Sequence, residues 1–215
     1  MIQYFYFAAG VILAYLVGSV PSAVWIGKAL YGIDVREHGS GNAGATNVIR
    51  VLGYKAGIPV MLVDVFKGWV AVQLVYLFPL PGISTDAMIY FRIACAAAAV
   101  LGHIFPVYVG FRGGKGVGTL AGVAIALYPV ALLIVLGVFI VSLALTRYVS
   151  LSSILGSVVF PFIVIFVTGE KNPGLIILSI LVAHFVPLTH RKNIKRLLKG
   201  EENKFIFRKK REEKN

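Results

Sequence analysis

Residues 117–146 read VGTLAGVAIALYPVALLIVLGVFIVSLALT, a stretch of thirty residues without a charged side chain. As one straight helix it would measure about 45 Å, whereas the hydrocarbon core of a bilayer is about 30 Å thick. Pro129 lies inside the stretch and lacks the backbone N–H that a helix interior requires. The sequence therefore predicts two helices here, a short one before Pro129 and a longer one after it.

The composition of the whole chain is that of a membrane protein. Of its 215 residues, 58% are hydrophobic and 14% are charged, against about 45–50% and about 25% in soluble domains. Residues 1–27 contain no charge and lack the basic start of a cleaved signal peptide, so they predict a retained first span. Further apolar runs cover residues 57–78, 88–109, 151–168 and 175–188.

The distribution of positive charge determines the predicted topology. Splitting residues 117–146 at Pro129 gives seven spans and places 18 of the 21 Lys and Arg residues on one side, which the positive-inside rule identifies as the cytoplasm. We therefore expect an all-α polytopic membrane protein with seven transmembrane helices, the N-terminus outside and the C-terminus cytoplasmic. Residues 1–203 would form one helical transmembrane domain, and residues 204–215 a basic cytoplasmic tail.

The net charge of +12 does not indicate a nucleic-acid partner. Eleven of the Lys and Arg residues lie in residues 191–214, directly after the last predicted span. A basic segment at this place is typical of a cytoplasmic terminus, and its secondary effect is attraction to anionic lipid. We accordingly expect membrane lipid as a partner and no nucleic acid.

Four polar segments interrupt the apolar runs, and the seven-span topology brings all of them to the cytoplasmic face. They are GSGNAGATNVIR at 39–50, GFRGGKGVG at 110–118, RYVSLSS at 147–153 and HRKNIKRLLKGEE at 190–202. Glycines allow backbone N–H groups to converge on an anion, and cations add positive charge. Taken singly, each segment is also compatible with a basic turn or a helix cap, but together they predict a phosphate-binding site.

The two glycine-rich segments do not match nucleotide-binding fingerprints. Gly39, Gly41 and Gly44 form GxGxxG, but a membrane span and a charged loop precede them, where the dinucleotide fingerprint requires a strand. In the second segment, Gly116 occupies the place of the Ser or Thr that holds magnesium in the Walker A motif. The segments therefore indicate phosphate binding outside a nucleotide-binding fold.

Several ionisable residues lie inside the apolar runs, and for Asp64 and Lys67 a structural ion pair and a direct role in a site are both open. Asp64 and Lys67 are three residues apart, so they share a helix face and can form an ion pair. Arg92 is expected near the outer end of its span, where its side chain can extend to the headgroups. His103 is expected to be a packing or hydrogen-bonding residue.

The absence of several motifs narrows the classes of reaction that the site could catalyse. The cytoplasmic acids before the tail are Asp34 and Glu37, so no acidic cluster is available to hold magnesium. The sequence contains neither the HxxxxD arrangement of thioester-dependent acyltransferases nor the GxSxG nucleophile motif. We therefore predict a site that requires no metal and no cofactor, and that acts through cations, amides, hydroxyls and imidazole beside the lipid.

Three of the segments resemble the motifs of the bacterial acyl-phosphate:glycerol-3-phosphate acyltransferases. These motifs are GSGNAGATNVIR, LGHIFPVYVGFRGGKGVGT and HRKNIKRLLKGEE, which occur in order at suitable spacing. The resemblance implies transfer of a fatty acyl group from acyl phosphate to the sn-1 hydroxyl of glycerol 3-phosphate, giving lysophosphatidic acid and phosphate. It also implies residence in the bacterial cytoplasmic (inner) membrane with an active site that faces the cytoplasm.

The resemblance also implies which residues form the site. The catalytic residues would be Ser40, Lys115, His190 and Asn193. The substrate-binding residues would be Gly41, Asn42, Thr46, Asn47, Arg50, Arg112, Gly113, Gly114, Gly116 and Ser150. Glu202 is expected to brace the third motif.

The chemistry of these residues suggests a division of roles. Lys115, Arg112 and Arg50 are expected to bind phosphates, because both substrates carry one. Ser40, Ser150 and Asn193 are expected to orient the glycerol. The base stays open between His190 and a phosphate oxygen of the substrate.

Two other classes of function are compatible with the residues alone. A membrane carrier for an organophosphate could use the helix broken at Pro129 as its gate, although carriers commonly contain inverted repeats and none is detectable here. A purely structural membrane subunit would bind no phosphate.

Overall fold

The computed structural model describes residues 2–205, and all regular structure within them is helical. The α-helices in this part of the chain are α1 (Ile2–Gly18), α2 (Ser22–Tyr31), α3 (Ala45–Leu52), α4 (Tyr54–Gln73), α5 (Thr85–Ile104), α6 (Val117–Leu127), α7 (Pro129–Thr146), α8 (Val149–Phe162), α9 (Pro173–Thr189) and α10 (Arg191–Leu198). Short 3₁₀ turns occupy Val35–Glu37, Leu74–Leu77 and Val107–Val109, and a π-helical turn at Ile163–Val167 extends α8.

Most of the predicted spans are present as long apolar helices. Within residues 2–205, five stretches are long and apolar enough to cross a membrane: Ile2–Tyr31, Tyr54–Leu77, Thr85–Val109, Pro129–Thr146 and Val149–Val167. Helices α9 and α10, which meet at an angle of 61°, provide a sixth if they are counted as one broken span. The chain is therefore an all-α membrane protein, as the composition predicts.

The break at Pro129 is confirmed. Helix α6 ends at Leu127 and α7 begins at Pro129, where the first turn of a helix does not need the missing N–H. The last carbonyls of α6 would be unsatisfied in lipid. Arg92 of α5 donates from Nη2 to the carbonyl of Ala126 at 2.8 Å. Its guanidinium therefore caps the broken helix rather than extending to the headgroups as we expected.

Helix α6 is short, and it is shielded by very close packing against α4. Gly118 and Gly122 lie four residues apart on α6, and Gly68 lies on the facing part of α4. A Cβ at Gly122 would overlap the carbonyl oxygen of Val65, and one at Gly68 would overlap that of Thr119. Small residues allow such contact between backbones in a membrane, where van der Waals packing drives helix association.

The predicted ion pair between Asp64 and Lys67 is confirmed and ties α4 to the break between α1 and α2. Lys67 Nζ lies 2.9 Å from Asp64 Oδ1, and both side chains are almost fully buried. Asp64 Oδ1 also accepts a hydrogen bond from Ser22 Oγ at 2.7 Å. Lys67 Nζ donates to the carbonyl of Val20 at 2.8 Å. The two buried charges are thus paired and hydrogen-bonded, as charges within a membrane must be.

Candidate active site

The glycine-rich segment 110–118 connects α5 to α6 and is anchored to the end of α5. The N–H of Gly113 donates to the carbonyl of Ile104 at 3.0 Å, and that of Gly114 to the carbonyl of His103 at 3.2 Å. A Cβ at Gly114 would overlap His103 Nε2. The glycines therefore permit a close approach of two chain segments, and these two N–H groups are engaged within the protein.

A cavity of about 520 Å³ joins all four polar segments that the sequence singled out. Its wall includes ten of the predicted site residues: Ser40, Asn42, Thr46, Asn47, Arg50, Lys115, Gly116, Ser150, His190 and Asn193. The other four, Gly41, Arg112, Gly113 and Gly114, do not line it. Arg112 is exposed on the surface of the same loop.

A hydrogen-bond network around Glu202 holds the polar end of the cavity together. The Glu202 Oε1 atom accepts from Ser150 Oγ at 2.8 Å and from Asn193 Nδ2 at 2.6 Å. Its Oε2 atom accepts from Arg196 Nε at 2.7 Å. Asn193 Oδ1 in turn accepts a hydrogen bond from Lys115 Nζ. Glu202 thus links α8, α10 and, through Asn193, the glycine loop, which is the bracing contact we expected.

Lys115 is a partly buried cation of this network. Burial is the main cause that lowers the pKa of Lys115 to about 8, and the charges of Arg196 and Arg50 act in the same direction while Glu202 opposes them. At neutral pH the ammonium group is still mostly protonated. An ammonium group has three N–H donors, and one of them is directed at Asn193. The remaining donors suit an anionic ligand in the cavity.

His190 lies between α9 and α10 and is buried in the wall of the cavity. Its Nδ1 atom is 2.8 Å from the carbonyl oxygen of Val186. Because a carbonyl only accepts, Nδ1 carries the proton and Nε2 carries the lone pair. Burial, followed by the charge of Lys115, lowers the pKa of His190 to about 4. The ring is therefore neutral at neutral pH and is a weak proton acceptor.

Asn47 of α3 organises the first glycine-rich segment. Its Oδ1 atom accepts from the backbone N–H of Ser40 at 2.8 Å and from Ser40 Oγ at 3.0 Å. Its Nδ2 atom donates to the carbonyls of Val35 at 2.9 Å and His38 at 3.1 Å. These four bonds use the hydrogen-bonding capacity of the amide, so Asn47 shapes the loop. The Ser40 oxygen still has lone pairs with which to accept a hydrogen bond.

The remaining part of the cavity is apolar and runs between helices α6, α7, α8 and α9. Its lining includes Val123, Leu132, Val135, Phe160 and Val182. One cavity therefore has a polar end that carries the cations and an apolar end that extends along transmembrane helices. Such a shape suits a molecule with a charged head and a hydrocarbon chain.

Comparison with known proteins identifies the family. The chain matches the model of the family described as glycerol-3-phosphate acyltransferase over residues 8–200. The chain belongs to this family. It is therefore an acyltransferase, and the resemblance of the three motifs is confirmed.

Several glycerol-3-phosphate acyltransferases are similar to this chain over nearly its whole length. Those of Chlorobaculum parvum and Chlorobaculum tepidum are each 42% identical to it, with 94% of this chain and 97% of theirs covered. The glycerol 3-phosphate form of PlsY (YgiH), an integral membrane glycerol 3-phosphate acyltransferase, matches with a TM-score of 0.81 at 36% identity, covering 93% of this chain and 96% of that one. The lysophosphatidic acid form matches with a TM-score of 0.78 at 37% identity, covering 93% and 95%.

Among the other residues that line the cavity of this acyltransferase are three with acidic, basic or imidazole side chains that the sequence did not assign to the site. They are Asp64, His103 and Arg196. His103 Nδ1 lies 3.6 Å from Asp64 Oδ1. His103 therefore connects the buried ion pair of α4 to the start of the glycine loop. His103 and Arg196 lie inside the second and third motifs, which is the signal that identifies them. For Asp64 the sequence left a structural pair and a role in a site open, and the structure shows the pair formed beside the cavity.

Arg36 is a further residue whose role the sequence did not predict. Its guanidinium pairs with Asp34 at 2.7 Å and donates to the carbonyls of Val109 at 2.8 Å and Arg112 at 3.2 Å. These bonds connect the loop before the first motif to the glycine loop. Arg36 thereby helps to hold the two glycine-rich segments beside each other at the cavity.

Proposed function

We propose that the protein transfers a fatty acyl group from acyl phosphate to the sn-1 hydroxyl of glycerol 3-phosphate, in the first step of phospholipid biosynthesis. The products are lysophosphatidic acid and phosphate. The observation that carries this proposal is the single cavity with a cationic end and an apolar end. The two similar solved structures are described with glycerol 3-phosphate and with lysophosphatidic acid, which supports the same substrate and product here.

The cationic end would hold the phosphate groups. Lys115, Arg50 and Arg196 line it, and Glu202 is the carboxylate paired within the network. Arg50 makes no ion pair with any residue of the range 2–205, so its guanidinium is available to a phosphate. Arg112 as a phosphate ligand stays a prediction, since its side chain lies outside the lining. The same holds for Gly41, Gly113 and Gly114.

The hydroxyl groups of the site would orient the glycerol. The hydrogens of Ser40 Oγ and Ser150 Oγ are donated to Asn47 and Glu202. Each serine oxygen therefore faces a ligand as an acceptor, which suits the O–H groups of glycerol. Asn193 connects this region to Lys115, so the glycerol and phosphate contacts share one rigid network. Such preorganisation is a main source of catalysis when the leaving group is already good.

In the reaction, the sn-1 hydroxyl oxygen attacks the carbonyl carbon of acyl phosphate and forms the new ester bond. The bond from that carbon to the phosphate oxygen breaks, and phosphate leaves with the electron pair. The hydroxyl proton has to pass to a base. The cations beside the carbonyl would stabilise the negative charge that develops on its oxygen.

A phosphate oxygen of the substrates is the stronger candidate for this base. A phosphate monoester has a second pKa of about 6, whereas burial and Lys115 lower the pKa of His190 to about 4. A proton acceptor of higher pKa takes the proton more readily. The lone pair on His190 Nε2 would instead accept a hydrogen bond from the substrate and orient it.

Replacement of His190 by alanine tests whether a substrate phosphate oxygen or His190 is the base. We expect a single-turnover rate at saturating substrate within about tenfold of the native rate, since loss of a sole base costs about 10²- to 10⁴-fold. The KM for glycerol 3-phosphate should rise. His184→Ala is the control, because His184 is exposed and does not line the cavity. A larger loss in rate with unchanged KM would make His190 the base.

The activity itself is tested with purified protein in detergent, given palmitoyl phosphate and labelled glycerol 3-phosphate. We expect labelled lysophosphatidic acid and phosphate in equal amounts, with and without a chelator, because the proposal includes no metal or cofactor. Turnover without sealed vesicles would exclude an organophosphate carrier as the main activity. Binding of both substrates without product would contradict the proposal.

The proposed position is the bacterial cytoplasmic membrane, with the site facing the cytoplasm. The seven spans would be α1 with α2, then α4, α5, α6, α7, α8 and α9. The concentration of basic residues at one face supports this orientation, with the N-terminus outside. A reporter fused after Arg147 should be active on the cytoplasmic side, and an outside signal would contradict the count of seven.

The apolar part of the cavity would exchange lipids with the bilayer. Met61, Ile125 and Leu136 line the cavity and are 44%, 42% and 45% exposed. These side chains of α4, α6 and α7 mark a side that opens toward lipid. Acyl phosphate would enter and lysophosphatidic acid would leave here without passing through water.

A further inference from the structure

Helix α8 presents small side chains along the cavity, from its polar end into its apolar part, and then one large side chain. Ser150, Ser153 and Ser157 line the cavity, and Phe160 follows on the same face. Their spacing of three and four residues places them one above another along the helix. The wall is therefore recessed from Ser150 to Ser157, and the recess ends at Phe160.

Phe160 is held in place by a second aromatic residue from the broken helix. Its ring lies at 79° to the ring of Tyr128, with 5.0 Å between the centroids. Both residues are 6% exposed. Tyr128 Oη donates to the carbonyl of Leu175 at 2.7 Å. The two rings are thus held in one position by contacts between the end of α6, α8 and α9. We call this pair of rings the ring partition.

The partition lies deep in the membrane relative to the polar end of the site. Phe160 comes ten residues after Ser150 on one continuous helix, which corresponds to about 15 Å at 1.5 Å per residue. Ser150 belongs to the network that holds the cations. The cavity therefore provides a recess of defined length between its cationic end and the two rings.

We propose that Tyr128 and Phe160 set the length of the acyl chain that the enzyme accepts. This inference rests on the proposed acyl transfer, because it assumes that the acyl phosphate group lies at the cationic end. The chain then runs along Ser153 and Ser157, and its terminal methyl group meets the two rings. A longer chain must bend toward the open side of the cavity, so its last methylenes lose contact with the protein.

The test is a competition between acyl donors in one reaction. Equimolar lauroyl, palmitoyl and stearoyl phosphate are supplied with glycerol 3-phosphate, and the lysophosphatidic acids are quantified by mass spectrometry. The product ratio does not depend on how much enzyme is folded. Phe160→Leu should raise the ratio of stearoyl to palmitoyl product by about threefold, since two more methylenes then keep the van der Waals contacts with the protein that they would lose on bending out toward lipid.

A second variant shortens the recess. Ser157→Leu places a larger apolar side chain one turn before Phe160, and the serine hydroxyl it removes is bonded within its own helix, to the carbonyl of Ile154 at 2.8 Å. We expect the ratio of lauroyl to palmitoyl product to rise, again by about threefold, since the end of the longer chain loses its packing contacts with the protein. Phe162→Ala is the control on the same helix, because Phe162 is 59% exposed and does not line this cavity. Its ratios should equal those of the native protein.

The outcomes separate this inference from the function on which it rests. Opposite shifts in Phe160→Leu and Ser157→Leu would support the ring partition as the length determinant. Unchanged ratios in both variants, with an active native enzyme, would overturn it while leaving the acyl transfer intact. No product from the native protein with any donor would contradict the proposed function itself.

Discussion

Replacing Lys115 with methionine should reduce kcat/KM for glycerol 3-phosphate by about 10²- to 10³-fold. The substitution keeps the length and apolar stem of the side chain but removes the partly buried ammonium group that donates to Asn193 and lines the cavity. A phosphate at this end would lose one of its charged donors within the cavity. Initial rates over a range of glycerol 3-phosphate concentrations measure the effect.

The control for this prediction is Lys55→Met, which removes an exposed cation at the start of α4 that does not line the cavity. Its kinetics should be close to native. A native value of kcat/KM in Lys115→Met would contradict a phosphate contact at this residue and would leave Arg50 and Arg196 as the cations of the site.

The lowered pKa of Lys115 predicts that kcat/KM falls as the pH rises. Because burial lowers the pKa of Lys115 to about 8, the cationic form that binds phosphate is present below this pH and is lost as the pH rises through it. The value of kcat/KM reports ionisations of the free enzyme and should fall above about pH 8. Lys115→Arg stays charged there, so the decline should be absent from its profile.

Replacing Glu202 with alanine should lower the free energy of unfolding by about 2–3 kcal/mol and abolish most activity. The carboxylate accepts hydrogen bonds from Ser150, Asn193 and Arg196, and all three lose their partner at once. Asn193 would then no longer be held against Lys115. Thermal unfolding in detergent and the acyl-transfer assay measure the two effects.

Glu201→Ala is the matched control, because Glu201 precedes Glu202 directly and is exposed. Equal stability of the two variants would contradict the bracing role of Glu202.

Burial alone would raise the pKa of Glu202, but the hydrogen bonds from Arg196, Asn193 and Ser150 lower it below its ordinary value of 4.5. Its contribution to stability is therefore present above this pH and is lost as the pH falls through the lowered pKa.

The membrane fold and the family could be read from the sequence because their signals are local. Apolar runs of sufficient length predict spans wherever they occur, and Pro129 breaks a helix for steric reasons that depend on its own ring. Asp64 and Lys67 pair because one helical turn brings them together. The three motifs carry the family resemblance as contiguous residues, which the match over residues 8–200 confirms.

The roles of individual site residues could not be read in this way. Asn47 was expected to bind substrate, yet the carbonyls of Val35 and His38 and both polar groups of Ser40 occupy its amide. Gly114 was expected to offer its N–H to an anion, yet that group bonds to the carbonyl of His103. The hydrogen-bond partner of a polar group depends on the residues that lie beside it in the folded chain. The spacing of residues along the sequence does not determine these neighbours.

By itself, then, the sequence determined that this chain is a helical membrane protein with a break at Pro129 and three acyltransferase motifs. The tertiary structure decided how the motifs act together. Ser150 and Glu202 are 52 residues apart, and Lys115 and Asn193 are 78 residues apart, yet each pair is hydrogen-bonded. It also placed Tyr128 against Phe160 at the far end of the same cavity. Contacts of this kind arise from helix packing, which no local pattern of residues specifies.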